Sequence, residues 1–130
     1  MRTYLVDATN AARKQGYAPG FPAMEDIRTR EIVEQISVSA QGLEGQVTIE
    51  LFFDGPRRDL GNAPPGLILR FSAERSADEQ ILGSVRALRA QGKGVVVATE
   101  DSMLRKEVEE EGGRVINFNE LLRRLQSRKA

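Results

Sequence analysis

Val95-Val-Val-Ala-Thr-Glu-Asp-Ser-Met-Leu104 passes from an apolar, mostly β-branched run through a polar turn into a helical pattern anchored by Leu104 and Val108. A run this short, with no polar/apolar alternation, reads as a strand covered on both faces. Thr99, Asp101 and Ser102 each have a side chain able to cap the helix that follows. The same pattern recurs along the chain. Thr3–Val6, Val47–Phe53, Leu67–Phe71 and Val115–Ile116 are further short runs rich in β-branched or aromatic residues.

Helical patterns lie between most of these runs. Met24, Ile27, Ile32, Val33 and Ile36 make an imperfect stripe over one long helix, and Ile81, Leu82, Val85 and Leu88 make a clean one. Phe118, Leu121, Leu122 and Leu125 mark the last helix; each stripe is an apolar face to be buried. Gly112-Gly113 ends the helix of Leu104 and Val108, and Gly92-Lys-Gly94 separates the preceding helix from its strand. Gly61-Asn-Ala-Pro-Pro-Gly66 joins two strands without a helix, and Gly16 to Pro22 is a second irregular stretch. No repeat, low-complexity tract or linker interrupts the order. The expected fold is a single α/β domain over residues 1–130, with three α/β/α layers around a mostly parallel sheet of about five strands.

Composition narrows the chemistry. Of 130 residues, 40% are hydrophobic and 29% charged, which is ordinary for a globular protein. The opening Met1-Arg-Thr-Tyr-Leu-Val-Asp7 reaches a carboxylate too early for a secretory leader. No later run approaches the ~20 apolar residues of a membrane span. Cysteine is absent, so disulfides and thiolate metal sites are excluded and a reducing cytoplasm is the expected home. Histidine is absent too, which removes His-based triads, His-ligated zinc and the usual general base near neutral pH. The 19 basic and 19 acidic residues cancel, so binding to nucleic acid requires a local basic patch.

What remains is carboxylate chemistry, and four aspartates stand out. Asp7, Asp54 and Asp101 follow strands directly or closely, and Asp78 opens a helix in Ser76-Ala-Asp-Glu79. In an open parallel sheet the carboxyl ends of the strands share one edge, where ligands bind. Acids gathered there repel one another unless a cation holds them. Each also has a plain structural explanation. Asp7 or Thr9 can cap a short helix over Ala11–Lys14, and Asp54-Gly-Pro56 is good turn chemistry. Ser76 and Glu79 form a capping box that makes no demand on Asp78. Asp101 can cap the helix after it, with Glu100 facing solvent. One shared site explains the four acids more economically than four separate caps and turns. All-oxygen ligands favour a hard ion, Mg²⁺ or Mn²⁺.

Val6-Asp-Ala-Thr-Asn10, Phe53-Asp-Gly55, Ser76-Ala-Asp-Glu-Gln-Ile81 and Val97-Ala-Thr-Glu-Asp-Ser102, in this order over nearly the whole chain, resemble the NYN domains, the YacP-like branch of the PIN-like nuclease superfamily. The resemblance implies metal-dependent hydrolysis of RNA by activated water. It implies metal-binding roles for Asp7, Asp78 and Asp101, with Asp54 as an additional acid and Asn10 and Thr99 as polar supporters. There are departures, among them Asp7-Ala-Thr-Asn10 where the family often has Asp-Gly-x-Asn. Arg57, Arg58, Arg13 and Lys14 are the candidates to hold the RNA strand, with a ribosome or other assembly as a possible setting. Two alternatives stay open. One is a receiver-like phosphoacceptor using Asp7, Asp54 and Thr99; the other is a non-catalytic RNA- or ribosome-binding module. The basic end of the last helix, Arg123-Arg124 and Arg128-Lys129, reads as a solvated tail.

Overall fold

The computed structural model describes residues 2–14 and 22–129, without the side chains of Lys14 and Pro22. Five strands form one parallel sheet: β1 (Arg2–Asp7), β2 (Val47–Phe53), β3 (Leu67–Phe71), β4 (Val96–Ala98) and β5 (Arg114–Ile116). The helices are α1 (Ala8–Lys14), α2 (Pro22–Ser39), α3 (Ala77–Ala90), α4 (Ser102–Glu110) and α5 (Phe118–Ser127). The strand order is β3-β2-β1-β4-β5. The chain thus builds outward from β1 on one side, then returns past it to add β4 and β5 on the other. That reversal opens a crevice between the carboxyl ends of β1 and β4. The order also sets aside the receiver-like alternative, because receivers use the flavodoxin-like order 2-1-3-4-5.

Alternation along β1 divides the core. Tyr4 and Val6 join Ile32, Val33 and Ile36 of α2, Ala11 and Ala12 of α1, and Leu121 and Leu125 of α5. Leu5 faces the other way, with Phe52, Val97, Ile81 and Val85 of α3, and Leu104 and Val108 of α4. Asp7 shares the parity of Leu5, so its side chain leaves the sheet on the α3/α4 side. Among the described residues no helix is long and apolar enough to cross a membrane.

Four expectations need correction. Met24 and Ile27 are exposed, while Ile32, Val33 and Ile36 are buried. At ~100° per residue, Ile27 sits roughly half a turn out of phase with Ile36. Buried Thr29 completes the inner face instead, its hydroxyl donating to the Glu25 carbonyl at 2.7 Å. β3 is an edge strand, and Ile68 is exposed on it, so this strand is not covered on both faces. The short helix after β1 begins at Ala8, three residues earlier than its pattern indicated. The end of α5 is docked: Lys129 Nζ donates to the Val38 carbonyl at 2.9 Å, and Gln126 reaches Ser39 at 3.2 Å. A lysine at the carbonyl end of α2 suits the helix dipole, which a free tail would not exploit. The irregular Gly16 to Pro22 stretch lies outside the described residues except for Pro22, where α2 starts.

Two connections show why the strands register. After α4, Gly112 takes φ +86°, and the Gly113 N–H donates to the Val108 carbonyl at 3.0 Å. A Cβ on Gly113 would meet Val108 Cγ1 at 2.8 Å, so a side chain there has no room. The connection from β2 to β3 carries no helix, yet it is anchored. Leu60 is buried in the α1/α2/α5 core, and the Arg30 guanidinium donates to the Asp59 carbonyl at 3.0 and 3.3 Å. Leu60→Ala should therefore destabilise the protein by about 2–5 kcal/mol in chemical denaturation, the cost of emptying a core site. A loss below roughly 0.5 kcal/mol by the same measure, what a surface change costs, would mean that the loop is not pinned.

Candidate functional site

The carboxyl ends of β1, β2 and β4 are tied together by polar side chains of neighbouring segments. Asp7 closes β1 and is 4% exposed. The Thr99 hydroxyl, buried beyond the end of β4, donates to Asp7 Oδ2 at 3.0 Å. The same Thr99 oxygen accepts from the Asp101 N–H at 3.1 Å, so one hydroxyl sets both the carboxylate and the turn. Asn10 Oδ1 accepts from the Glu100 N–H at 3.1 Å, tying α1 to that turn from the opposite bank. These bonds cross the β1/β4 crevice.

Asp54 is built in a similar way. Its N–H donates to Thr9 Oγ1 at 2.9 Å, and its Oδ1 accepts from the Ala77 N–H at 2.9 Å. It thus satisfies one orphan donor of α3, while Ser76 Oγ takes the Glu79 N–H at 3.1 Å. The capping box is only half formed, because the Glu79 carboxylate reaches Arg75 at 3.3 Å. Asp101 caps α4, its Oδ1 accepting from Met103 and Leu104 N–H at 2.9 and 3.0 Å. The plain structural roles of Asp54 and Asp101 are therefore real. They use Oδ1 in both cases, and cap and ligand are compatible on one carboxylate.

Charge shows which acids share a neighbourhood. Burial first, and then the charges of Asp78 and Asp54, push the Asp7 carboxyl up to about 7. The Thr99 hydroxyl and the Asn10 N–H pull it down by favouring the ionised form. Asp78 is raised as well, first by burial and then by Asp101, Asp54 and Glu107, with Arg13 opposing. Acids from four separate segments thus feel one another at the carboxyl edge of the sheet. Glu107 went unnoticed in the sequence; its one signal is a place beside Leu104 and Val108 on the inner flank of α4.

Among the described residues no group of three or more acids stands close enough to ligate one ion directly. The donor set still fits a hard cation of the Mg²⁺ type, which keeps several waters and takes only one or two protein carboxylates plus substrate oxygens. The helix beginnings of α1, α3 and α4 lie at the same edge and partly offset the repulsion.

The basic candidates divide. Arg13 stands 4.0 Å from Asp54 Oδ2 and 3.8 Å from Glu25 Oε1, so it acts as a counter-ion within the site. Arg58 is not poised for phosphate. Its guanidinium bonds Asp26 Oδ1 at 3.1 Å and the carbonyls of Asp54 and Pro56 at 3.1 and 2.9 Å. Those bonds stiffen the Asp54 turn. Arg57 is exposed and lies over the Phe71 ring. The Lys14 side chain lies outside the described residues.

A family model of the YacP-like NYN domain matches residues 22–130. That span contains Asp54, Asp78 and Asp101 and begins after Asp7 and Asn10. The fold is similar to the crystal structure of a mutant Rae1 (YacP) from Bacillus subtilis, with a TM-score of 0.67. The likeness covers 98% of this chain and 76% of that one at 19% sequence identity. No curated protein matches the sequence.

The buried acid gives a stability signature. From its ordinary value of 3.8 to about 7, the unfolded chain has released the Asp7 proton and the folded one has not. Folding stability contributed by Asp7 therefore falls as pH rises through that window. Asp7→Asn keeps an acceptor for Thr99 and carries no charge. In EDTA, its stability advantage over the wild type should grow from near zero at pH 4 to a few kcal/mol above pH 7, at about 1.4 kcal/mol for each pH unit crossed. Parallel stability curves would show that Asp7 is not desolvated.

Proposed function

The chain belongs to the YacP-like NYN domain family, and on that footing we propose that it is a divalent-metal-dependent endoribonuclease. The observation that carries this reading is the gathering of acids from four segments at one sheet edge, where burial and then Asp78 and Asp54 raise Asp7, and burial and then Asp101 and Asp54 raise Asp78. A protein has little reason to keep such a cluster unless a cation or a reaction uses it.

A bound Mg²⁺ or Mn²⁺ would supply acidification of a water and stabilisation of the leaving oxygen of a phosphodiester. Asp7 and Asp78 are the carboxylates proposed to hold it directly, with Asp101 and Asp54 reaching it through bound water from the oxygen not used in capping. Thr99 holds Asp7 in one rotamer and fixes the Asp101 turn. Asn10 holds the Glu100 backbone, so the β4 turn cannot drift from α1. Arg13 limits repulsion around Asp54 and Asp78. None of these tasks needs histidine. The cytoplasm is the proposed compartment and RNA the proposed substrate, with a ribosome or other assembly as its proposed setting.

The purified protein should cleave single-stranded RNA with Mn²⁺ or Mg²⁺ and stop in EDTA. Asp7→Asn and Asp101→Asn should each lower the rate by about a hundredfold or more, the scale of losing a positioned catalytic group. Asparagine caps as well as aspartate, so Asp101→Asn removes charge without removing the α4 cap. Full cleavage in EDTA would end the metal reading. RNA binding without cleavage in any divalent ion would favour the non-catalytic binding module.

A further inference from the structure

Beside the acid cluster, the turn after β2 carries a layered stack that the hydrolytic reading does not use. Phe53, buried at the end of β2, stacks on Phe71 at the end of β3, with ring centroids 5.3 Å apart and planes 24° from parallel. The Arg57 guanidinium carbon sits 5.3 Å from the Phe71 centroid. Arg58 flanks the same ring at 5.7 Å. Phe71 thus stacks on a core aromatic and has a solvent-exposed guanidinium over it.

The two arginines differ in the way that matters. Arg58 is engaged by Asp26 and by two backbone carbonyls. Among the described residues, the Arg57 side chain has the aromatic ring as its contact and makes no ion pair. An arginine meant simply to bind phosphate as a charge gains nothing from a rigid aromatic bed. A planar guanidinium held against a ring presents its outer face as a stacking surface. The bed is stiff, because Phe53 lies in the core and Arg58 locks the Asp54-to-Arg58 turn. Gly55 is bound as well, its N–H donating to Ser72 Oγ at 3.1 Å.

We propose that Arg57, seated on Phe71, is a shelf on which one base of a single-stranded RNA stacks next to the acid cluster. Arg57 follows Asp54 by three residues, so at most roughly 10 Å of backbone separates them. A short single strand covers that distance. Every base has a π-face, so the shelf tolerates any sequence and favours unpaired over duplex RNA. This deepens the ribonuclease reading and rests on it for the identity of the ligand. Arg57 is a positioning residue here: it sets which phosphodiester lies over the acids.

The test is binding of a fluorescently labelled single-stranded RNA in EDTA, where hydrolysis does not interfere. A series of oligonucleotides carries one abasic position each. One abasic position should weaken wild-type binding about tenfold, the scale of one stacked base. The same position should cost Arg57→Ala nothing further. Arg57→Lys keeps the charge without the plane and should behave like Arg57→Ala, and Phe71→Leu should reproduce the loss by removing the bed. Wild-type affinity in Arg57→Lys, equal abasic penalties in wild type and Arg57→Ala, or no RNA binding by the wild type would each overturn the shelf. The hydrolytic reading is decided separately, by divalent-metal-dependent cleavage and its loss in Asp7→Asn.

Discussion

The hydrogen bond from Thr99 to Asp7 is the point on which the site depends. It spans the one crevice that the strand order creates, and it lies where burial makes a carboxylate costly. Around it, Thr9 holds the Asp54 turn and Asn10 holds the Glu100 turn. The polar groups that shape the site are therefore the same groups that join the ends of β1, β2 and β4. Stability lost by crowding acids is partly recovered by the order these bonds impose, a balance typical of functional sites.

The surroundings of the acids are asymmetric. On the α1/α2 side stand Arg13, a counter-ion, and Arg58, a brace for the turn. On the α4 side stands Glu107, which adds negative charge. Arg57 over Phe71 extends the α1/α2 side outward.

Family membership rests on residues 22–130, whereas the most buried acid, Asp7, precedes that span. The structure supplies the link, because β1 sits at the centre of the sheet and pairs with both β2 and β4. Likeness of fold alone leaves activity undecided, since one fold serves many chemistries. The identity of the reaction has to come from the edge residues themselves.

Local pattern was enough for the elements. Apolar runs along the strands, glycine stops at Gly112-Gly113 and the Ser76 cap all read correctly, because each depends on neighbours within a turn or two. The candidate acids were visible for the same reason: a strand followed by Asp needs no tertiary knowledge. An α/β chain followed from residue types and short-range periodicity. The outer turns of α2 were misread because Met24 and Ile27 look apolar locally, and the sheet's position settles which helix face is covered. Packing alone placed β1 centrally and let one threonine hydroxyl orient Asp7 and the Asp101 turn together. It also separated two adjacent arginines into a brace and an exposed stack. Those outcomes depend on contacts between residues as far apart as Asp7 and Thr99, which exist only once folding has brought distant segments to the same edge.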